Sequence, residues 1–140
     1  MSAPLFEPFV RVRDVVYVSG QIATDEDGTL VAEGRVGGEV DLDTAIRCAE
    51  ACALNLLARL TEVPGGLEEI ERLVKLTVFV AVAPGFDEPH VVANGASQLL
   101  LRELGERGKH ARSAIGVAAR PRNSPVEVEA IARLVRERGA

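Results

Sequence analysis

The chain has 140 residues, of which 47% are hydrophobic and 2 are cysteines, so it can bury one core without disulfides or a structural metal. Its formal net charge is −5, with 16 basic residues spread among 21 acidic ones, which does not favour nucleic acid as a partner. The sequence has no basic, apolar leader and no apolar run of the ~20 residues that a membrane span needs. We therefore expect a cytoplasmic protein that is one domain over residues 1–140.

The first half of the chain predicts two strands and a helix. The strands are the β-branched runs Val10–Arg13 and Val15–Ser19, which are typical of a hairpin. After a glycine-rich stretch, Asp41 or Asp43 can cap a helix whose apolar residues repeat at helical spacing and which ends before Pro64.

Two cysteines, Cys48 and Cys52, lie four residues apart in this predicted helix. The spacing places both thiols on one face of the helix, but two ligands are too few for a structural zinc site. Free cysteines are among the most buried residues, so we interpret both as core residues and predict no metal site.

The second half predicts a strand, a helix and two more strands. Residues of the segment Arg72–Val82 alternate between an apolar and a mixed face, Pro89–Arg107 has helical periodicity, and strands follow at about Arg112–Ala118 and Val126–Val135. The resulting order, ββαβαββ, predicts an α+β fold: a two-layer sandwich in which two helices pack on one face of a mixed β-sheet.

The sheet face without helices is predicted to be partly apolar. It would present Phe79 and Ala81 from the central strand, and Ile131 and Val135 from the last strand. Because this is too apolar for a fully solvated surface, we expect it to be buried against other copies of the chain in a homo-oligomer.

Strand alternation predicts which face of the sheet carries the charged residues. If Val126 points to the helices, then Glu127 points away from them, and if Ile115 points to the helices, then Arg112 and Ala114 also point away. Arg112 and Glu127 are thus predicted on neighbouring strands and on one face. They could form a carboxylate clamp with a water-orienting glutamate, or an interfacial salt bridge without a ligand.

Several segments resemble the RidA (YjgF) family in order and spacing. They are an SGQ after the second strand, an ARS tripeptide at Arg112, the strand VEVEAIA that places Glu127 fifteen residues later, and the segments LVKLTVFV and NGASQLL. The resemblance covers nearly the whole chain. It implies a chorismate-mutase-like homotrimer with a central β-barrel and a ligand pocket at each subunit junction.

The resemblance also implies an activity, which is hydrolysis of reactive 2-imino or enamino acids to 2-oxo acids and ammonia. By position, Arg112 would hold the substrate carboxylate and Glu127 would position the attacking water. Ser19, Gly20 and Asn94 would line the pocket. No metal or organic cofactor is implied, and His90 and His110 are interpreted as surface or structural residues.

Two positions depart from the best-studied deaminating members. Ala114 stands where those members have a cysteine, although its backbone N–H would still line the pocket, and Phe9 stands near the place of their N-terminal tyrosine. We therefore expect a divergent branch of the family, of the endoribonuclease L-PSP type. Two other functions are considered: a non-enzymatic small-carboxylate-binding or regulatory protein, and an endoribonuclease or translation inhibitor, which acidic charge and scarce aromatics disfavour.

Overall fold

The computed structural model describes residues 4–136 and has the predicted element order ββαβαββ. Five strands and two α-helices form two layers, and the α+β prediction is confirmed. Their bounds are β1 Phe9–Val12, β2 Val15–Ile22, α1 Leu42–Thr61, β3 Ile70–Ala81, α2 Pro89–Leu104, β4 Ala111–Val117 and β5 Val126–Leu134.

The strands form one mixed sheet in the order β1-β2-β5-β3-β4. β3 and β4 are parallel, as expected for strands joined through helix α2, and the other pairs are antiparallel. β3 therefore lies between β4 and β5. The prediction that the strands of Arg112 and Glu127 are neighbours is wrong, because β5 returns along the opposite side of β3.

Helix α1 begins at the first of its two predicted caps, Asp41, and Asp43 lies in its first turn. Asp41 is the N-cap, and its side chain accepts a hydrogen bond of 2.8 Å from the Thr44 backbone N–H, which lowers the pKa of the Asp41 carboxyl. Cys48 and Cys52 are buried, as predicted, and Cys52 Sγ lies 3.5 Å from the Val126 carbonyl oxygen of β5. Burial raises the pKa of Cys48 to about 11, so this thiol is protonated at neutral pH.

Helix α2 is held close to α1 by a glycine. A Cβ on Gly95 would lie 2.4 Å from the Ile46 carbonyl oxygen, so no larger residue fits between the two helices at this point. The helix has Pro89 in its first turn and ends at Leu104, three residues before the predicted end, because Gly105 adopts φ 61 and starts a short 3-10 turn.

The two faces of the sheet differ in what covers them. One face packs under both helices through a row of fully buried apolar side chains that includes Leu76, Val78 and Val128. On the other face, Tyr17 and Ile115 are 49% and 43% exposed. This face is partly apolar, as predicted. The homotrimer and its central barrel stay predictions, because the structure describes one chain. No helix within residues 4–136 is both long and apolar enough to span a membrane.

Candidate functional site

Arg112 lies on the helix-covered face of the sheet. In the parallel register with β3, Arg112 pairs with Leu76 and Ala114 pairs with Val78, and both partners are fully buried under the helices. The predicted alternation of β4 is therefore wrong. It was set by the apolar residue Ile115, but β4 is an edge strand and Ile115 lies exposed on the face without helices.

Helix α2 supplies neutral acceptors for the Arg112 guanidinium. Nη1 donates to Asn94 Oδ1 at 2.9 Å and to Ser97 Oγ at 3.1 Å, and Nη2 donates to the His90 carbonyl oxygen at 3.3 Å. Asn94 and Ser97 are three residues apart, so they share one face of the helix. Asn94 and Arg112 are thus brought together, as the resemblance implies, and we call Arg112, Asn94, Ser97 and His110 the arginine cluster.

His110 joins the arginine cluster through Ser97. Its Nδ1 lies 2.6 Å from the Gly108 carbonyl oxygen, and its Nε2 lies 2.9 Å from Ser97 Oγ. A carbonyl oxygen can only accept, so Nδ1 carries a hydrogen. In the neutral imidazole Nε2 then has none, and the Ser97 hydroxyl donates to it.

The arginine cluster borders an open pocket. The pocket has a volume of about 440 Å³ and is lined by Ser97, Leu101, Lys109, His110 and Arg112. Lys109 pairs with Glu106 at 3.0 Å. Among residues 4–136, no carboxylate forms an ion pair with Arg112, so its positive charge is left to an incoming anion.

Glu127 lies on the opposite face of the sheet. Its pairing partner on β3 is Phe79, which points to the opposite side of the sheet from the buried Leu76 and Val78. Arg120 Nη1 donates to Glu127 Oε1, and the Arg120 guanidinium carbon lies 5.2 Å from the centroid of the Phe79 ring. The side chains of Arg120 and Glu127 are 21% and 17% exposed. We call Glu127, Arg120 and Phe79 the glutamate cluster.

Two of the predicted pocket residues adjoin the glutamate cluster. Gly20 lies directly against Glu127, since a Cβ at this position would come 2.3 Å from Oε2. Ser19 donates its hydroxyl to the Glu7 carbonyl oxygen at 2.6 Å, and Gln21 Nε2 donates to the Ser19 carbonyl oxygen at 2.9 Å. The hydroxyl hydrogen of Ser19 is therefore already donated to a backbone carbonyl oxygen.

The predicted site residues are thus divided between the two faces of the sheet. Ala114 is on the face of Arg112, where it packs against core side chains, whereas Ser19 and Gly20 are with Glu127. Sequence reasoning missed Ser97, His110 and Arg120. Helical spacing from Asn94 could have indicated Ser97, but Arg120 lies in a connection whose conformation has no periodic signal.

Metal ligands do not cluster in this part of the molecule. Among residues 4–136, no three His, Cys, Asp or Glu side chains are placed to hold one ion. What the arrangement can do chemically is bind an anion at Arg112 and, separately, present the Glu127 carboxylate on the other face.

Comparisons with known proteins agree with the fold and the motifs. A family model described as Endoribonuclease L-PSP matches residues 2–134. Protein TCP17 of Trypanosoma cruzi is 40% identical over 120 residues, which are 85% of this chain and 74% of that protein. Both matches cover most of the chain.

Two crystal structures show how the fold varies. Protein Atu1372 from Agrobacterium tumefaciens, of unknown function, is 43% identical, with a TM-score of 0.91 over 95% of this chain and 84% of its own. RidA from an Antarctic Psychrobacter is 27% identical, with a TM-score of 0.64 over 95% of this chain and 91% of its own. The lower TM-score to RidA agrees with the predicted divergence. This chain belongs to the RidA/YjgF family, whose family model is described as Endoribonuclease L-PSP.

Proposed function

We propose that the protein hydrolyses small 2-imino or enamino acids to 2-oxo acids and ammonia, in pockets between the subunits of a homotrimer. The observation that carries this proposal is the arginine cluster: Arg112 is held by three neutral acceptors and has no carboxylate partner among residues 4–136. A substrate carboxylate would supply the missing negative charge.

The hydrogen bonds of Arg112 leave donors for a ligand. A guanidinium has five N–H groups, and three of those of Arg112 are used by Asn94, Ser97 and the His90 carbonyl. Its Nε–H and one Nη2–H remain for the two oxygens of a carboxylate. Because the other contacts fix the plane of the guanidinium, less side-chain entropy is lost when the ligand binds.

The Glu127 needed for such a reaction would come from a second subunit. Glu127 and Arg112 lie on opposite faces of one sheet and are separated by β3, so one chain cannot present both to a small substrate. Closing the sheets of three chains around an axis would bring the face of one chain toward an edge of the next. The exposed Tyr17 and Ile115 on the face of Glu127 support burial of that face.

The reaction demands little of the protein. Water adds to the electrophilic imine carbon to give a carbinolamine, a proton moves to its nitrogen, and ammonia leaves as the C=O bond of the 2-oxo acid forms. Arg112 would orient the substrate through its carboxylate. Glu127 would hold the water through Oε2, since Oε1 accepts from Arg120 and Gly20 leaves the space beside Oε2 without a side chain.

A second candidate is a carboxylate-binding regulatory protein without turnover. The observation that favours it is the ion pair of Glu127 with Arg120, in which both side chains are about four-fifths buried. A glutamate held in this way can stabilise the sheet face without taking part in chemistry. Binding and turnover must therefore be measured separately.

The experiment generates 2-imino acids with an amino-acid oxidase and follows ammonia release in the presence of the protein. We expect faster release with the wild-type protein and loss of about 100-fold or more of the catalytic rate with Arg112→Ala, because a charged, bidentate contact is removed. Binding of 2-oxobutyrate, measured by calorimetry, should fall in parallel.

Arg102→Ala is the matched control, since Arg102 is an exposed arginine on α2 with a side chain that is 65% exposed. It should behave as the wild type. Binding of 2-oxobutyrate without any acceleration over a broad set of imines would favour the regulatory candidate, and equal rates for wild type and Arg112→Ala would refute the proposed enzyme.

A further inference from the structure

A chain of hydrogen bonds runs from the backbone to Arg112 through two residues that have no assigned role. The Gly108 carbonyl accepts from His110 Nδ1 at 2.6 Å, His110 Nε2 accepts from Ser97 at 2.9 Å, and Ser97 Oγ accepts from Arg112 at 3.1 Å. The two outer directions are fixed, because a carbonyl oxygen can only accept and a guanidinium can only donate. The middle bond runs from Ser97 to Nε2 in the neutral imidazole whose hydrogen is on Nδ1.

The direction of the middle bond determines what Ser97 offers to Arg112. A hydroxyl has one hydrogen and two lone pairs. While the hydrogen points to His110 Nε2, the lone pairs face the other way, toward the Arg112 guanidinium. If the acceptor at His110 were removed, the hydroxyl could rotate and turn its hydrogen toward Arg112, and the contact that fixes Nη1 would weaken.

The Gly108 end of this chain of hydrogen bonds is fixed in position. Gly108 ends the 3-10 turn that follows α2, and a Cβ at this glycine would lie 2.4 Å from the Leu100 carbonyl oxygen. Arg107 connects the same turn to the segment that leads into β3. It donates to the Leu67 and Ile70 carbonyl oxygens at 2.8 and 2.7 Å. The acceptor for His110 is therefore fixed relative to the helix that carries Ser97.

We propose that Ser97 and His110 are positioning residues that hold the Arg112 guanidinium in the orientation for binding a substrate carboxylate. Neither residue needs to touch the substrate for this role. The inference rests on the proposed role of Arg112 as a carboxylate clamp, and it assigns His110 a hydrogen-bonding function that requires an acceptor at the Nε2 position.

The test compares Ser97→Ala, His110→Ala and His110→Gln with the wild type. Binding of 2-oxobutyrate is titrated by calorimetry, and hydrolysis gives KM and kcat. Ser97→Ala and His110→Ala should each weaken binding by about 3- to 10-fold, the value of one hydrogen bond, and raise KM with kcat little changed. His110→Gln places an amide oxygen near the position of Nε2 and should restore most of the binding.

A second readout needs no ligand. Side-chain ¹⁵N NMR of the free protein reports rotation about the Nε–Cζ bond of Arg112, which should be faster in Ser97→Ala and His110→Ala than in the wild type or in His110→Gln. Gln98→Ala is the control, because Gln98 follows Ser97 on α2 but is exposed and lies outside the arginine cluster, and it should match the wild type in both measurements.

The outcomes separate this inference from the proposed function. If the wild type binds 2-oxobutyrate but hydrolyses no imine, and the variants bind it more weakly, the positioning role stands and the enzymatic function fails. If Ser97→Ala and His110→Ala match the wild type in binding and in Arg112 rotation, the positioning role is overturned. It is also overturned if His110→Gln is as defective as His110→Ala.

Discussion

The two faces of the sheet hold two arginines in opposite electrostatic situations. On the helix-covered face, Arg112 donates to a side-chain amide, a hydroxyl and a backbone carbonyl, all of which are neutral. On the other face, Arg120 donates to the carboxylate of Glu127 and lies over the Phe79 ring. The first arginine keeps its net charge, and the second is neutralised.

The difference shows which of the two clusters is prepared for an anion. A guanidinium that is oriented by neutral groups gains the full charge–charge interaction when a carboxylate arrives. An arginine already paired with a glutamate must first lose that partner. This contrast supports our proposal that the ligand binds at the arginine cluster and that the glutamate cluster contributes to the reaction from another subunit.

The largest expected effect tests whether the two clusters meet between subunits. Arg112→Ala and Glu127→Gln should each be inactive alone. Co-expressed in equal amounts and purified as mixed oligomers, they should regain about a quarter of the wild-type rate, because random assembly gives that share of junctions with both residues intact.

The rate of imine hydrolysis by the mixed oligomers measures this recovery. Mixed oligomers of Arg112→Ala with an Arg112→Ala, Glu127→Gln double variant serve as the control and should stay inactive. Mixed Arg112→Ala and Glu127→Gln oligomers that show no recovery would contradict a site shared by two chains.

Asn94→Asp should turn the arginine cluster into a neutralised pair like the one on the other face. The substitution places a carboxylate about where Asn94 Oδ1 now lies, 2.9 Å from Arg112 Nη1. We expect binding of 2-oxobutyrate to weaken by about 10- to 100-fold, because the guanidinium charge is already satisfied, while the melting temperature does not fall.

Gln98→Glu makes the same change of charge at an exposed position of α2 and should leave binding close to the wild-type value. Both variants are compared by calorimetry. Unaltered affinity in Asn94→Asp would mean that the carboxylate binds elsewhere than at Arg112.

Gly20→Ala should distinguish the roles of the two clusters, because it disturbs only the glutamate cluster. The new methyl group would meet Glu127 Oε2 at 2.3 Å, so the flexible end of Glu127 must move. Hydrolysis should slow by about 10-fold or more, since small displacements of a reacting group are costly, but 2-oxobutyrate should bind as before.

Gly38→Ala is a suitable control, because its Cβ would find its nearest neighbour at 3.4 Å. Kinetics and calorimetry are run on the same preparations. A loss of binding in Gly20→Ala that equals its loss of rate would show that the glutamate cluster also holds the carboxylate.

The smallest effect is expected for Arg120→Met, which keeps an apolar stem over Phe79 but removes the charge that pairs with Glu127. The free energy of unfolding should fall by about 2 kcal/mol, as measured by urea denaturation, because the largely buried Glu127 carboxylate loses its charged partner and the cation–π contact is lost. Binding at Arg112 should not change. If binding collapses, Arg120 contacts the ligand and the contrast between the two arginines is wrong.

Most of the fold was predictable because helices and buried strands repeat their apolar residues at fixed intervals. A cap of α1 at Asp41 or Asp43, the alternation at Leu76 and Val78, and Pro89 at the start of α2 were all visible in the chain, and the structure selects Asp41. The mixed two-layer sandwich then followed from the order of the elements.

The face of Arg112 was not predictable from alternation. At the edge strand β4, the apolar residue Ile115 points to the face without helices, and Ala114 is the core residue. An apolar side chain on an exposed edge strand need not point into the core of its own chain. The contact between Arg112 and Asn94 was indicated only by the family resemblance. The hydrogen bond between Ser97 and His110 depends on how α2 is placed on β4.

That placement depends on Gly95, which lies next to Asn94 in the chain. Because the Ile46 carbonyl leaves no room for a side chain there, the distance between α1 and α2, and with it the position of α2 over the sheet, depends on this contact. If a ligand binds at the arginine cluster as we propose, a substitution at Gly95 would move Asn94 and Ser97 together without replacing any residue of that cluster. On this proposal, related chains would differ in substrate choice even where the residues of the cluster are identical.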